Sequence, residues 1–226
     1  MFLTFESHFL TSISDHMIVH WLLILILFTF DIYIYFSGNW NKYKLNNRIF
    51  SIPLTDTISQ VLFNQIFVTF PLIYMFSNSF PEGTIFDPTN LYRIPTTFIM
   101  IEILFYYSHR LLHLSYFYEK FHKIHHKWIG PCAISTLYCH PLEQAISNTL
   151  PIILSGLFSG LNFSTMRLWH IFCIINGVLI SHGGYKIPNY TNMHDLHHSS
   201  FHYNYGVLGI LDKLHGTNYK SNSKSV

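Results

Sequence analysis

The chain has 226 residues, half of them hydrophobic, and only 11% are Asp, Glu, Lys or Arg. A soluble domain carries roughly a quarter charged residues, so much of this surface is expected to face lipid. A net charge of +2 without a basic stripe argues against a nucleic-acid partner, and three cysteines with no CxxC pair argue against a disulfide framework.

Five stretches read as membrane helices: residues 17–36, 58–76, 94–108, 142–160 and 165–181. The first is the clearest, with Trp21-Leu22-Leu23-Ile24-Leu25-Ile26-Leu27-Phe28 at its heart. Ahead of it, residues 1–16 hold no Lys or Arg and two acids, Glu6 and Asp15, so an uncleaved anchor is expected rather than a signal peptide. The third stretch is short and the fourth holds Pro151, which favours tilted, broken or partly inserted helices. Placing loop 37–57 in the cytosol puts every Lys and Arg except Arg93 and Arg167 on that side. The sequon Asn162-Phe163-Ser164 falls in a short outer turn, too near the membrane to be a good glycosylation site. The predicted fold is an all-α integral membrane protein of four to five membrane helices with a cytosolic, helical, histidine-rich metal cap. Its parts are a two-helix membrane region over 1–93, a histidine-rich region over 94–220 and a polar tail over 221–226.

The 16 histidines are the compositional outlier. Eight fall into three clusters: His109-Arg110-Leu111-Leu112-His113, His122-Lys123-Ile124-His125-His126 and His194-Asp195-Leu196-His197-His198. Spacings of three and four place side chains on one helix face, so each cluster can aim several imidazoles at one point. A lone histidine is ordinarily a satisfied core residue. Three such clusters point to a centre of more than one transition-metal ion, most simply two. The membrane topology carries all three to the cytosolic face. Donors that are nearly all neutral suit redox iron with positions open to dioxygen, whereas structural zinc is closed and usually recruits cysteine. Cys132, Cys139 and Cys173 lie outside the clusters.

Other residues could complete or support the centre. His182 follows the fifth stretch and is a further candidate ligand. His140, at the start of the fourth, is either a ligand or the partner of Glu143. Glu102 shares a helix face with Tyr106, His109 and His113, and is either a partner for a ligand histidine, a proton relay, or a glutamate near the interface. Asp195 either accepts an N–H from a neighbouring ligand or is an exposed aspartate at a helix start. His170 lies about 18 Å before His182 at 1.5 Å per residue and reads as a buried polar residue. His8, His16, His20, His202 and His215 lie outside the three clusters and read as structural.

Taken in order, the clusters resemble the sterol desaturase/fatty acid hydroxylase superfamily. Beyond the three clusters, the resemblance is carried by His140-Pro141-Leu142-Glu143, Ser181-His182-Gly183-Gly184-Tyr185 and the run from Asn204 to Thr217. It looks most like the branch of C4-methylsterol oxidase and fatty acid hydroxylase domain-containing protein 2. The resemblance implies a multi-pass endoplasmic reticulum protein with a fatty acid hydroxylase domain over 94–220. In that family two irons would be held by His109, His113, His122, His125, His126, His194, His197 and His198, with His182 joining them. It further implies a sterol or other lipid substrate, dioxygen, and electrons from NAD(P)H through cytochrome b5 and its reductase. One departure stands out: Val178 occupies a position where some members place another histidine. The leading expectation is oxidation of the C4-methyl group of a sterol precursor. Hydroxylation of a fatty acyl or sphingoid chain is the runner-up, and a non-catalytic membrane metal-binding protein is the rival class.

Overall fold

Helix α1 (Phe2–Phe36) contains the clearest apolar run and begins well before residue 17. The computed structural model describes residues 2–45, 52–128, 130, 132–187 and 193–220, without the side chains of 2–5. The polar tail 221–226 and Arg48 lie outside the described residues. After α1 come a short α2 (Trp40–Tyr43), then α3 (Leu54–Asn64) and α4 (Phe70–Phe76) joined by a π turn at Gln65–Thr69. Next are α5 (Asn90–Leu112), α6 (Ser115–Lys120) and two 3₁₀ segments, His122–Lys127 and Ala133–Leu137. Helices α7 (Pro141–Glu143) and α8 (Leu150–Phe158) flank a π turn at Gln144–Thr149. Helix α9 (Phe163–Ile175) runs into a third π turn, Asn176–Ser181, and α10 (Met193–Ser200) and α11 (Ile210–His215) close the order. The described residues form helices and one isolated bridge, Lys44 with Tyr185.

Two of the π turns have a cause in the sequence. Pro71 and Pro151 each follow one of them closely. Proline lacks the N–H of an α turn and its ring collides with the carbonyl four residues back, so widening the preceding turn lets the helix continue.

Three helical runs among the described residues are long and apolar enough to cross a membrane: Glu6–Phe36, Leu54–Phe76 and Phe163–Ser181. They mark an integral membrane protein. The expected third and fourth spans are helical but fall short of that standard. Helix α5 interleaves Arg93, Glu102 and Arg110 with its apolar residues, and the run 141–158 opens on Glu143, Gln144, Ser147 and Asn148. These two runs pack on each other, while α1 packs along α9. Ile73, Ile101, Ile153, Met166 and Trp169 form one buried cluster, and Ile24, Ile134, Ile174 and Val178 another. Asn162 of the sequon is buried. It caps α9 by accepting the Thr165 N–H at 3.0 Å and donates to Thr84 O at 3.0 Å, so its amide is already committed.

The far end of α1 is tied to the loop after α9 by a buried ion pair. Lys44 Nζ donates to Asp31 at 2.8 Å and to Gly183 O at 2.7 Å, and the Tyr185 hydroxyl donates to Asp31 Oδ1 at 2.6 Å. Leu45 N–H to Gly184 O and Lys186 N–H to Tyr43 O extend the contact. Removing either partner of such a pair strands a buried charge. Its effect here is to hold the backbone next to His182.

Candidate metal centre

The structure brings nine of the candidate histidines into two groups, each with ring nitrogens within 4.8 Å of one another. One group is His109, His113, His122, His126 and His197; the other is His125, His182, His194 and His198. The division follows the spacing within each cluster. The residues four apart, 109/113, 122/126 and 194/198, go to the same group, while the intervening His125 and His197 cross to the other. The adjacent pairs His125-His126 and His197-His198 therefore each send one ring to either group, which locks the groups side by side. His126 and His198 lie with ring centroids 4.7 Å apart.

Backbone carbonyls set four of the tautomers, and a carboxyl group stands against a fifth ring. His109 Nδ1 lies 2.9 Å from Tyr205 O and His197 Nδ1 lies 2.7 Å from Tyr203 O. His125 Nδ1 lies 3.3 Å from Tyr138 O and His182 Nδ1 lies 3.0 Å from Gly177 O. His122 Nδ1 stands 2.9 Å from Glu143 Oε1. Carbonyl oxygens only accept, so the Nδ1 atoms of His109, His125, His182 and His197 carry the proton and their Nε2 atoms present lone pairs.

The Nε2 atoms converge. His122 Nε2 has His109, His113 and His126 Nε2 at 3.2, 2.9 and 3.0 Å. In the second group, His198 Nε2 has His125 and His194 Nε2 at 3.1 and 2.9 Å, and His194 and His182 Nε2 are 3.1 Å apart. One ring nitrogen holds a single proton or lone pair, so His122 Nε2 cannot hydrogen-bond all three of its neighbours, and the unmatched contacts repel. A cation among the nitrogens turns this repulsion into coordination, and the donor set thus fits two transition-metal ions. Burial keeps the rings neutral and ready to bind: it holds His125 down at about 4 and His182 at about 3, and His122, His194, His197 and His198 also fall well below the ordinary value.

His140 lies outside both groups. Its Nδ1 accepts the Leu142 N–H at 3.1 Å, so it caps α7, and Glu143 pairs with His122 rather than with His140. Glu102 is buried, yet it contacts backbone rather than an imidazole. Its oxygens accept the N–H of Leu208 at 2.7 Å and of Leu211 at 2.9 Å. Asp212 holds the same loop by accepting the N–H of Tyr205 at 2.9 Å and of Gly206 at 2.8 Å. A side chain at Gly206 would start 2.7 Å from Glu102 Oε1, so glycine lets the loop approach. This loop supplies the Tyr205 carbonyl to His109, and Glu102 therefore acts on the ligand through it. Asp195, beside His194 on α10, acts electrostatically on the buried Lys44 ammonium.

Sequence reasoning offered His140 as the partner of Glu143 and missed His122, to which no sequence spacing joins it. It also missed a second histidine group, because His16, His20 and His170 come from α1 and α9. His16 Nδ1 lies 3.2 Å from His170 Nε2.

A mostly apolar cavity joins the two regions. Its walls include His109, His122, His125, His182 and His194 at the metal groups, and Phe98, Ile101, Ile153, Trp169 and Phe172 beyond them. Phe98, Trp169 and Phe172 form an aromatic wall with centroids 5.0 to 5.6 Å apart. All three π turns contribute lining residues, among them Thr69, Gln144, Ser147, Asn176 and Ser181. The geometry therefore offers an apolar molecule access to imidazoles from both groups.

The model of the fatty acid hydroxylase family matches residues 94–217, from the start of the third apolar stretch past the last metal-group histidine. Fatty acid hydroxylase domain-containing protein 2 of Homo sapiens is 40% identical over 181 residues, covering 76% of this chain and 54% of the relative. The methylsterol monooxygenase erg25B of Aspergillus fumigatus is 30% identical over 193 residues, covering 74% and 64%. The C-4 methylsterol oxidase of Schizosaccharomyces pombe is 29% identical over 170 residues, covering 64% and 55%. The chain spans about half the length of its human relative. No solved structure matches.

Proposed function

This chain belongs to the fatty acid hydroxylase family, and we propose that it is a membrane diiron monooxygenase that oxidises an unactivated C–H bond of a lipid. The observation that carries the reading is the opening of both histidine groups onto one apolar cavity. Two irons, when bound, supply the dioxygen activation that such a bond demands and that acid–base side chains cannot provide. The chain's own residues do the rest. Carbonyls of Tyr138, Gly177, Tyr203 and Tyr205 fix the tautomers and directions of four imidazoles, and Glu143 stands against His122. The wall of Phe98, Trp169 and Phe172 orients the lipid and excludes water.

Two electrons and two protons balance the reaction, with one oxygen atom entering the lipid and the other leaving as water. The electrons are assigned to cytochrome b5 and an NAD(P)H-dependent reductase on the cytosolic face of the endoplasmic reticulum. The Lys and Arg residues of loop 37–57 and of the histidine-bearing segment 109–127 favour a cytosolic face for both and support this assignment.

The first form of the reading is oxidation of the C4-methyl group of a sterol precursor, supported by the methylsterol oxidases among the relatives. The second is hydroxylation of a fatty acyl or sphingoid chain, supported by the apolar lining of the cavity beyond the metal groups. Lipid profiling of cells lacking the gene separates them. Accumulated 4-methylsterols support the first, and lost hydroxylated chain lipids the second. Unchanged lipids, together with iron-loaded protein that consumes no oxygen with reductant and membrane lipid, would favour the non-catalytic metal-binding class.

A further inference from the structure

We propose that the end of the cavity remote from the metal groups is a binding site for the hydroxyl group of a lipid, formed by His16, His20 and His170. The inference rests on the lipid-oxidation reading and states how the substrate is held. All three residues line the same cavity as the metal-group histidines. His170 precedes His182 on one continuous helical run, about 18 Å away at 1.5 Å per residue.

Hydrogen-bond valence shows that this group is ordered but incomplete. Trp21 Nε1 can only donate, and it donates to Gln65 Oε1 at 3.0 Å. Gln65 therefore turns its amide nitrogen to His16 Nε2 at 3.2 Å. His16 Nε2 is then the acceptor, and its Nδ1–H donates to His170 Nε2 at 3.2 Å. His20 stacks on His16 with centroids 5.7 Å apart and planes 11° apart. Yet His20 is 1% exposed and its Nε2 has no hydrogen-bond partner among the described residues. A buried polar atom without a partner is costly in a native fold, and a ligand oxygen in the cavity would satisfy it.

Charge selects the ligand class. No Lys or Arg is among the cavity's lining residues. The guanidinium of Arg167, on the same helix, already donates to Asp15 at 2.7 and 3.1 Å. A carboxylate or phosphate would therefore be desolvated without a counter-charge. A hydroxyl carries none, and because it both donates and accepts it suits either tautomer of His20. A lipid anchored this way offers the metal groups a carbon far from its oxygen. A 4-methylsterol held by its ring hydroxyl would keep C4, next to the oxygen-bearing carbon, away from them. The site thus favours a long-chain alcohol, or a sterol oxidised on its side chain.

The test uses the full chain in nanodiscs, metal-free, with a long-chain 1-alkanol bearing a diazirine beside the hydroxyl. A 3β-hydroxysterol with a ring diazirine forms a second arm, and the matching alkanoic acid is the control. The alcohols should label α1 around residues 16–21 and α9 around residue 170, and label from the acid should be at least tenfold weaker. Alkanol labelling alone assigns a chain alcohol; sterol labelling of the same segments assigns a sterol. His20→Phe should cut labelling at least tenfold, His20→Gln should retain most of it, and both should load iron like the parent. Labelling of 109–126 instead, equal labelling by the acid, or indifference to His20→Phe would overturn the site. Labelling needs neither iron nor turnover, so a failed oxygenase reading leaves it intact, and a failed hydroxyl site leaves oxygen-dependent turnover intact.

Discussion

His125→Ala is expected to lower bound iron from two ions per chain to one and to remove lipid oxidation, while the protein still inserts in the membrane. His125 supplies one of the four nitrogens of the smaller group, and its loss leaves three. Even the partners that merely orient ligands are worth about 10- to 100-fold in metal affinity, so loss of a ligand should exceed that. His197→Ala removes one of five from the larger group and should retain more iron, because four nitrogens remain. Turnover should vanish in both, because the reaction is assigned to the pair of ions. Insertion should survive, because it depends on the apolar runs Glu6–Phe36, Leu54–Phe76 and Phe163–Ser181. Metal analysis and oxygen-uptake assays on membrane-reconstituted variants check all three expectations. Full turnover in either variant would refute the assignment.

Glu102→Gln should give the second-largest effect although Glu102 touches no metal-group nitrogen. Its two oxygens accept the N–H groups of Leu208 and Leu211. An amide replaces one oxygen with a donor, so one buried N–H loses its acceptor at a cost of about 1–3 kcal/mol. The loop then shifts, and the Tyr205 carbonyl no longer aims His109 Nδ1. Iron affinity should fall about 10- to 100-fold, the usual range for partners of ligand histidines. Faster hydrogen exchange at Leu208 and Leu211 should accompany that fall. Gly206→Ala should act the same way, because its Cβ would crowd the Glu102 carboxylate. Unchanged exchange at Leu208 and Leu211 in Glu102→Gln would show that the clamp has no such role.

The helical architecture and the histidines were legible because each has a local signature. Apolar runs announce helices, and spacings of three and four announce faces. The assignment of each ring to a group could be read only once the chain was folded, since His125 and His126 are sequence neighbours that part company. In sequence His140 reads as either a ligand or the partner of Glu143, but α7 begins just after it and uses its ring as a cap. Glu102 was flagged correctly as an unusual buried acid, while its partners were backbone groups more than 100 residues away, which no side-chain pattern encodes. The same blindness hid the carbonyls that set the tautomers. The apolar count overreached at α5, interrupted by Arg93, Glu102 and Arg110, and at 141–158, where Glu143, Gln144, Ser147 and Asn148 line the cavity. His16 and His20 are four apart on α1, but their meeting with His170 of α9 is tertiary and no spacing encodes it.

Iron stoichiometry of the purified, membrane-reconstituted chain, loaded anaerobically with ferrous iron and read by metal analysis with Mössbauer spectroscopy, tests the central claim most directly. Two groups of converging Nε2 lone pairs predict two irons per chain, both in nitrogen-rich environments. A single iron, or none at saturating ferrous iron, would contradict it.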